Sequence, residues 1–348
     1  MRSASNSTAI DVVRTWAIVL VVFLHARTGM SFTHPSFAIF SDFISSDVAA
    51  LAVPLFFIFS GFLANWKQPS HFDKSEAARF LIRLIDLGAC YIFWNVFLAA
   101  IALLAAKANL HIGDFSASKL EGGLLAVLGL DSQFPIAYQF WFIRELILIS
   151  LSFFLLSCVF SPLRLFCHFA ILAISVSWFF LDARSAISIT AYGVGVIAGK
   201  FHARDIYRNI QQKNILMWAS IGISLLLCVI LLTGSRSVVV RYTFLVSGCL
   251  AVILGALKIR WSGSSTSFYR KVAGASFFLF AAHEPLLSLL KRFFSARFSA
   301  EVAYISAPVL IIVVLMGFQL ILPSRLKRIW WIVFYGARTR AAVPSDKS

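Results

Sequence analysis

Long apolar runs alternate with short polar or Gly/Pro breaks along almost the whole chain. A helix needs about 20 mostly apolar residues to cross the hydrocarbon of a bilayer. Read against that length, the pattern predicts ten spans, near residues 10–29, 47–65, 80–106, 139–160, 164–181, 185–201, 214–233, 238–257, 274–290 and 302–322. The fifth and sixth are separated only by Asp182, Ala183 and Arg184, and the longest break is 107–138. The expected fold is an all-α polytopic membrane protein, with a single transmembrane domain over 1–323. A basic, aromatic tail over 324–348, with Trp330, Trp331, Phe334 and Tyr335, is expected to lie along the inner membrane surface.

Composition removes the alternatives. The 348 residues are 60% hydrophobic and only 13% charged, with 35 Phe, whereas a soluble domain carries about 25% charged residues. The chain lacks the polar surface of a soluble enzyme, a disordered protein or a fibrous repeat. Its formal net charge of +16 comes from 31 Lys and Arg against 15 Asp and Glu. These cations collect between the apolar runs, so they read as topogenic charge facing lipid, and nucleic acid is not an expected partner. With the N-terminus inside, the cytoplasmic segments hold about twice the Lys and Arg of the outer ones, which places both termini in the cytosol. The first apolar run, which contains Arg14 and His25, reads as a retained span. The five cysteines show no CxxC spacing and read as buried small hydrophobes. No motif suggests a metal site.

The first span carries the strongest chemical signal. It reads Asp11-Val-Val-Arg14-Thr-Trp-Ala17-Ile18-Val-Leu-Val-Val-Phe-Leu-His25. Asp11 and Arg14 are at i, i+3, and Arg14 and His25 are a near-whole number of helical turns apart, so all three share one face. Along the helix His25 lies about 16 Å from Arg14. Ionisable groups in a span are costly and usually face a partner or a cavity. Elsewhere, Arg79, Arg83 and Asp86 open the third span, Arg144 and Glu145 lie near one end of the fourth, and His283 lies in the ninth. Ser60-Gly61, and Gly193, Gly195 and Gly199, read as close helix packing, while Trp94 and Asn95 read as interhelical glue.

These residues fall into motifs that resemble the acyltransferase 3 family of integral-membrane acyltransferases. The D-x-x-R-x-x-A-I start of the first span, with ten residues between its arginine and histidine, resembles the family's first helix. Val53-Pro54-Leu55-Phe56-Phe57-Ile58-Phe59-Ser60-Gly61-Phe62-Leu63 resembles its second-helix run, Trp141-Phe142-Ile143-Arg144-Glu145-Leu146 its W-F-I-R-D/E-L element, and Phe277 to Leu286, with His283-Glu284-Pro285, its late aromatic run ending in H-x-P. The resemblance extends from about residue 10 to 322. The chain departs from the family at Arg79-Phe-Leu-Ile-Arg83-Leu-Ile-Asp86, where R-R-x-x-R-I-x-P is common.

The resemblance implies a multi-pass enzyme of the bacterial inner membrane. It would move an acyl group, most simply acetyl, from cytosolic acyl-CoA to a hydroxyl of a surface or exported glycan or glycolipid. Acyl-CoA is expected as donor substrate, with no permanently bound cofactor. Its phosphates are expected near Arg14, Arg79 and Arg83, with Asp11 beside them, since guanidinium forks suit phosphate. His25 is the expected general base. Glu145 or Asp11 would stabilise the imidazolium, and Arg144 or His283 the tetrahedral oxyanion. A covalent acyl-histidine is the alternative to direct transfer. Two readings from other classes compete. Ten spans with buried ionisable residues also suit a transporter or flippase for a lipid-linked glycan, though the repeats expected of one are not seen. A non-catalytic membrane subunit of an export assembly is the other.

Overall fold

The computed structural model describes residues 2–65, 74–107, 123–130, 134–159, 166, 168–171, 183–200, 214–234, 237–259 and 262–322. Every regular element among them is helical. The long helices are α1 (Arg2–Ala26), α3 (Ala52–Asn65), α4 (Lys74–Lys107), α6 (Trp141–Val159), α7 (Ala183–Lys200), α8 (Asn214–Leu232), α9 (Val238–Lys258), α10 (Gly263–Ser295) and α11 (Ala300–Ile321). Two short helices, α2 (Pro35–Asp42) and α5 (Gly123–Val127), accompany them. Among the described residues eight stretches are long and apolar enough to cross a membrane. The protein is therefore an all-α polytopic membrane protein. Residues 164–181, the expected fifth span, lie mostly outside the described residues, as does the tail after 322. The expected sixth span is α7, whose apolar part, Ser185–Gly199, is shorter than the rest.

Two spans are longer than their apolar runs suggest. The second begins at Pro35 rather than near residue 47. Helix α2 passes through a π-helical turn, Phe43–Val48, and a 3₁₀ turn, Ala49–Leu51, into α3. Its polar residues find partners both within the span and outside it: Ser41 donates to the Ala38 carbonyl (2.9 Å), and Ser45 to the Phe23 carbonyl of α1 (2.6 Å). Buried Asp47 accepts from Arg241 Nε at 3.0 Å. The ninth expected span extends at both ends, to the 33 residues of α10.

The chain divides into two compact units, Met1–Pro69 with Pro162–Met316, and Ser70–Ser161 with Gly317–Ser348. In the first unit α1 is central. One of its faces, with Ala9 and Val13, joins an apolar core with Leu51 and Leu55, Leu227 and Leu231 of α8, and Phe244 and Cys249 of α9. Another face meets α10. Thr8 Oγ1 lies 3.3 Å from Thr266 Oγ1 near their N-terminal ends, and the His25 and His283 rings meet further along. The two helices therefore run parallel. Ala275, Ser276 and Ala281 of α10 are small and buried, the residue type that lets helices in a membrane pack closely. Helices α3 and α7 cross at Gly61 and Gly195. A Cβ on Gly61 would fall on the Tyr192 carbonyl oxygen, and one on Gly195 on that of Ile58.

In the second unit α4 packs on α6, with the Phe80 and Phe154 rings parallel at 3.9 Å. Asn95 is fully buried and acts as a connector: its Nδ2 donates to the Tyr91 carbonyl (2.8 Å), and its Oδ1 accepts from the Ala137 N–H (3.1 Å). Asn95→Leu would strand that N–H in the interior. Such an orphan costs about 1–3 kcal/mol, so the variant's thermal unfolding midpoint in detergent is expected to fall by several degrees while the helix content of the folded state is kept.

Candidate functional site

The shared face of α1 predicted from sequence is the face that meets α10. Thr8 contacts Thr266, Asp11 feels the charges of Arg14 and Arg270, and His25 stacks on His283. One end of the α1/α10 pair thus carries Asp11, Arg14 and Arg270, and the other carries two imidazoles. Arg14 is half-buried and Arg270 exposed.

The imidazole end is buried. His25 is 7% exposed and His283 is fully buried. Their ring centroids are 5.3 Å apart with planes 28° apart. His283 Nδ1 lies 2.7 Å from the Phe280 carbonyl oxygen, one turn back on α10. A carbonyl can only accept, so Nδ1 carries the proton, and a neutral ring in that tautomer has its lone pair on Nε2. His283 Nε2 has no hydrogen-bond partner among the described residues. Two residues on, Pro285 lacks the N–H that would have bonded the Ala281 carbonyl, which loosens α10 locally. Buried Glu284 accepts at 2.9 Å from Ser288 Oγ.

Lys291, a residue that no motif in the sequence singles out, completes this end. It is 8% exposed, and its Nζ donates to the His25 carbonyl (3.0 Å) and the Thr28 carbonyl (2.9 Å). Carbonyls at the end of a helix lack intrahelical donors and carry partial negative charge, so a buried ammonium caps α1 and holds the His25 backbone against α10. Lys291→Met keeps much of the chain's bulk and removes both bonds. It is expected to lower stability by about 1.5–3 kcal/mol, the usual range for bonds from a charged donor, and acyl transfer with it. An unchanged unfolding midpoint in detergent would show that the clamp contributes nothing.

The segment after His25 is fastened as well. Arg27 Nε donates to Asp42 Oδ1 at 3.0 Å, Arg27 also donates to the Met30 carbonyl, and its guanidinium covers the Phe32 ring at 4.7 Å. Phe32 and Phe37 meet Tyr304 edge-on, and the Tyr304 hydroxyl reaches Ser45 Oγ (3.0 Å) and the Ser41 carbonyl (3.2 Å).

Arg79, Arg83, Arg144 and Glu145 belong to the second unit. Arg79 is exposed on α4, Arg83 is half-buried, and Asp86 is buried. Arg144 donates to the Gly129 carbonyl, and the Tyr91 hydroxyl to that of Leu128, so both fasten the turn after α5. That turn needs its glycine: Gly129 has φ +59°, and a Cβ there would press on the Pro135 backbone. Within the first unit the structure brings together His25 with His283, and Asp11 with Arg14. Lys291 is the addition.

Ionisable side chains buried between spans are costly and often mark functional sites, which points to a membrane enzyme or transporter. The family then selects the enzyme: the chain belongs to the acyltransferase 3 family, whose acyltransferase-domain model matches residues 7–335. It is a multi-pass membrane acyltransferase. No curated protein and no solved structure matches the chain significantly.

Proposed function

We propose that this acyltransferase carries an acetyl or similar short acyl group from acyl-CoA on the cytosolic side of a bacterial inner membrane to a hydroxyl of a glycan or glycolipid beyond it. The observation that supports this most is the layout of α1. A cation suited to phosphate, Arg14, stands near one end and a buried imidazole, His25, at the other. They are separated by about 16 Å of helix, at about 1.5 Å per residue, on the face that meets α10. Acyl-CoA is itself a long molecule, with phosphates at one end and a thioester at the other.

In this reading the donor's phosphates engage Arg14, and Asp11 keeps that guanidinium oriented. The thioester comes to rest near His25. Neutral His25 takes the proton of the acceptor hydroxyl as its oxygen attacks the thioester carbonyl; the C–S bond then breaks, and the thiolate leaves with that proton. Exclusion of water from the imidazole end protects the thioester from hydrolysis. The parts assigned to Arg79 and Arg83 at the phosphates, to Glu145 at the imidazolium and to Arg144 at the oxyanion rest on the sequence resemblance.

Sidedness tests the proposal. Acetyl-labelled acetyl-CoA is supplied to inside-out and to right-side-out vesicles that contain the full chain and its native glycan. Label is expected in the glycan only from inside-out vesicles, where the donor meets the cytosolic face. Label appearing equally in both orientations, or in neither, would overturn it.

A further inference from the structure

A general base needs one hydroxyl, yet the imidazole end offers a second ring. The His25 and His283 rings are stacked rather than edge to edge. An imidazole's N–H and lone pair lie in its plane, so stacked rings do not bond to each other through nitrogen. His283 Nε2 thus has a buried lone pair with no partner among the described residues, while Nδ1 is committed to the Phe280 carbonyl. The free lone pair requires a donor, and the ring, in this tautomer, has no N–H to offer an oxyanion there.

We propose that His283 is a second acceptor-binding residue: its Nε2 accepts a hydrogen bond from a hydroxyl of the acceptor other than the one that is acylated. The acceptor is then a polyol presenting two hydroxyls close together, as carbohydrates do. This rests on the acyl-transfer reading above and deepens it. One hydroxyl gives its proton to His25, bonds to the thioester carbonyl carbon and displaces the thiolate, which takes that proton. The neighbouring hydroxyl keeps its proton and anchors the sugar through His283. An acceptor with a single hydroxyl, water included, satisfies only one ring. The arrangement therefore favours transfer to a polyol over hydrolysis of the donor. In this assignment His283 orients the acceptor, in place of the oxyanion role expected for it from sequence.

The experiment measures a partition ratio. Full-length protein in native membranes receives acetyl-labelled acetyl-CoA. Label entering the glycan is divided by free thiol released in excess of that label, that is, by transfer to water. His283→Leu removes the acceptor atom and is expected to lower the ratio at least tenfold. His283→Gln places an amide oxygen near the Nε2 position, which accepts a hydrogen bond without taking a proton, and is expected to hold the ratio within threefold of wild type. A ratio unchanged in His283→Leu, with transfer and hydrolysis falling together or not at all, would overturn the proposal. Failure of His283→Gln to recover the ratio would do the same. His25→Ala in the same assay reports on the underlying reading: retention of both products would remove His25 as base and leave the His283 ratio to be judged by itself.

Discussion

His25→Ala is expected to transfer acyl groups about 10²–10⁴-fold more slowly than wild type, the usual contribution of a positioned general base. Two features separate this from a packing effect. His25 is nearly buried and stacked on His283, so truncation leaves a void. Its backbone carbonyl, however, is held by Lys291 whatever the side chain, so the end of α1 keeps its place. A variant that fills the void without a basic nitrogen, His25→Phe, should be as inactive as alanine while unfolding nearer the wild-type temperature. Initial rates from labelled acetyl-CoA, normalised to folded protein, give the comparison. Near-wild-type rates in either variant would rule His25 out as the base.

Gly195→Val is expected to abolish accumulation of folded protein. The new Cβ would fall on the Ile58 carbonyl oxygen and lie 2.8 Å from Ile58 C and Phe62 N, all of them backbone atoms of α3. Side chains can rotate away from a clash, but a helix backbone can only move as a whole. Overpacking a core costs about 1–3 kcal/mol when side chains yield; here the cost should reach or exceed the top of that range. Gly61→Val, where the Cβ would meet the Tyr192 carbonyl, should behave alike. Gly222→Ala on α8 is the control, because nothing lies within 4 Å of its Cβ position. It should be neutral or slightly stabilising, since Ala is a better helix former by about 1 kcal/mol. Size-exclusion profiles of detergent-extracted protein distinguish these outcomes: a monodisperse peak for Gly222→Ala, and aggregate or no peak for the other two.

Much of this was legible from residues alone. Twenty-residue apolar runs are a strong signal because lipid leaves the backbone few alternatives to a helix. The shared face of Asp11, Arg14 and His25 follows from helical periodicity and is the face that α10 meets. Close packing at Gly61 and Gly195 and the bridging role of Asn95 were likewise readable from residue type. The start of the second span was not, because Ser41, Asp42, Ser45 and Asp47 dilute the apolar run. Their partners, Arg27, Arg241 and Tyr304, come from distant segments. Lys291 escaped for a similar reason. A lysine just past an apolar run looks like an interfacial charge, and only the tertiary fold reveals that it caps α1. No pattern within one helix encodes a cap supplied by another.

The parallel pairing of α1 with α10 also bears on how the enzyme comes to exist. It joins residues 258 positions apart, from Thr8 to Thr266. At translation rates of about 5–20 residues per second, α1 precedes its mate by on the order of ten to fifty seconds. Over that interval Arg14 and His25 sit in a nascent chain without the helix that later covers them, and their shelter has to come from the insertion machinery or from earlier spans. A ribosome that stalls before α10 releases a chain with many spans and no imidazole pair. The α1/α10 pairing can therefore form only once nearly the whole stretch between them has been made.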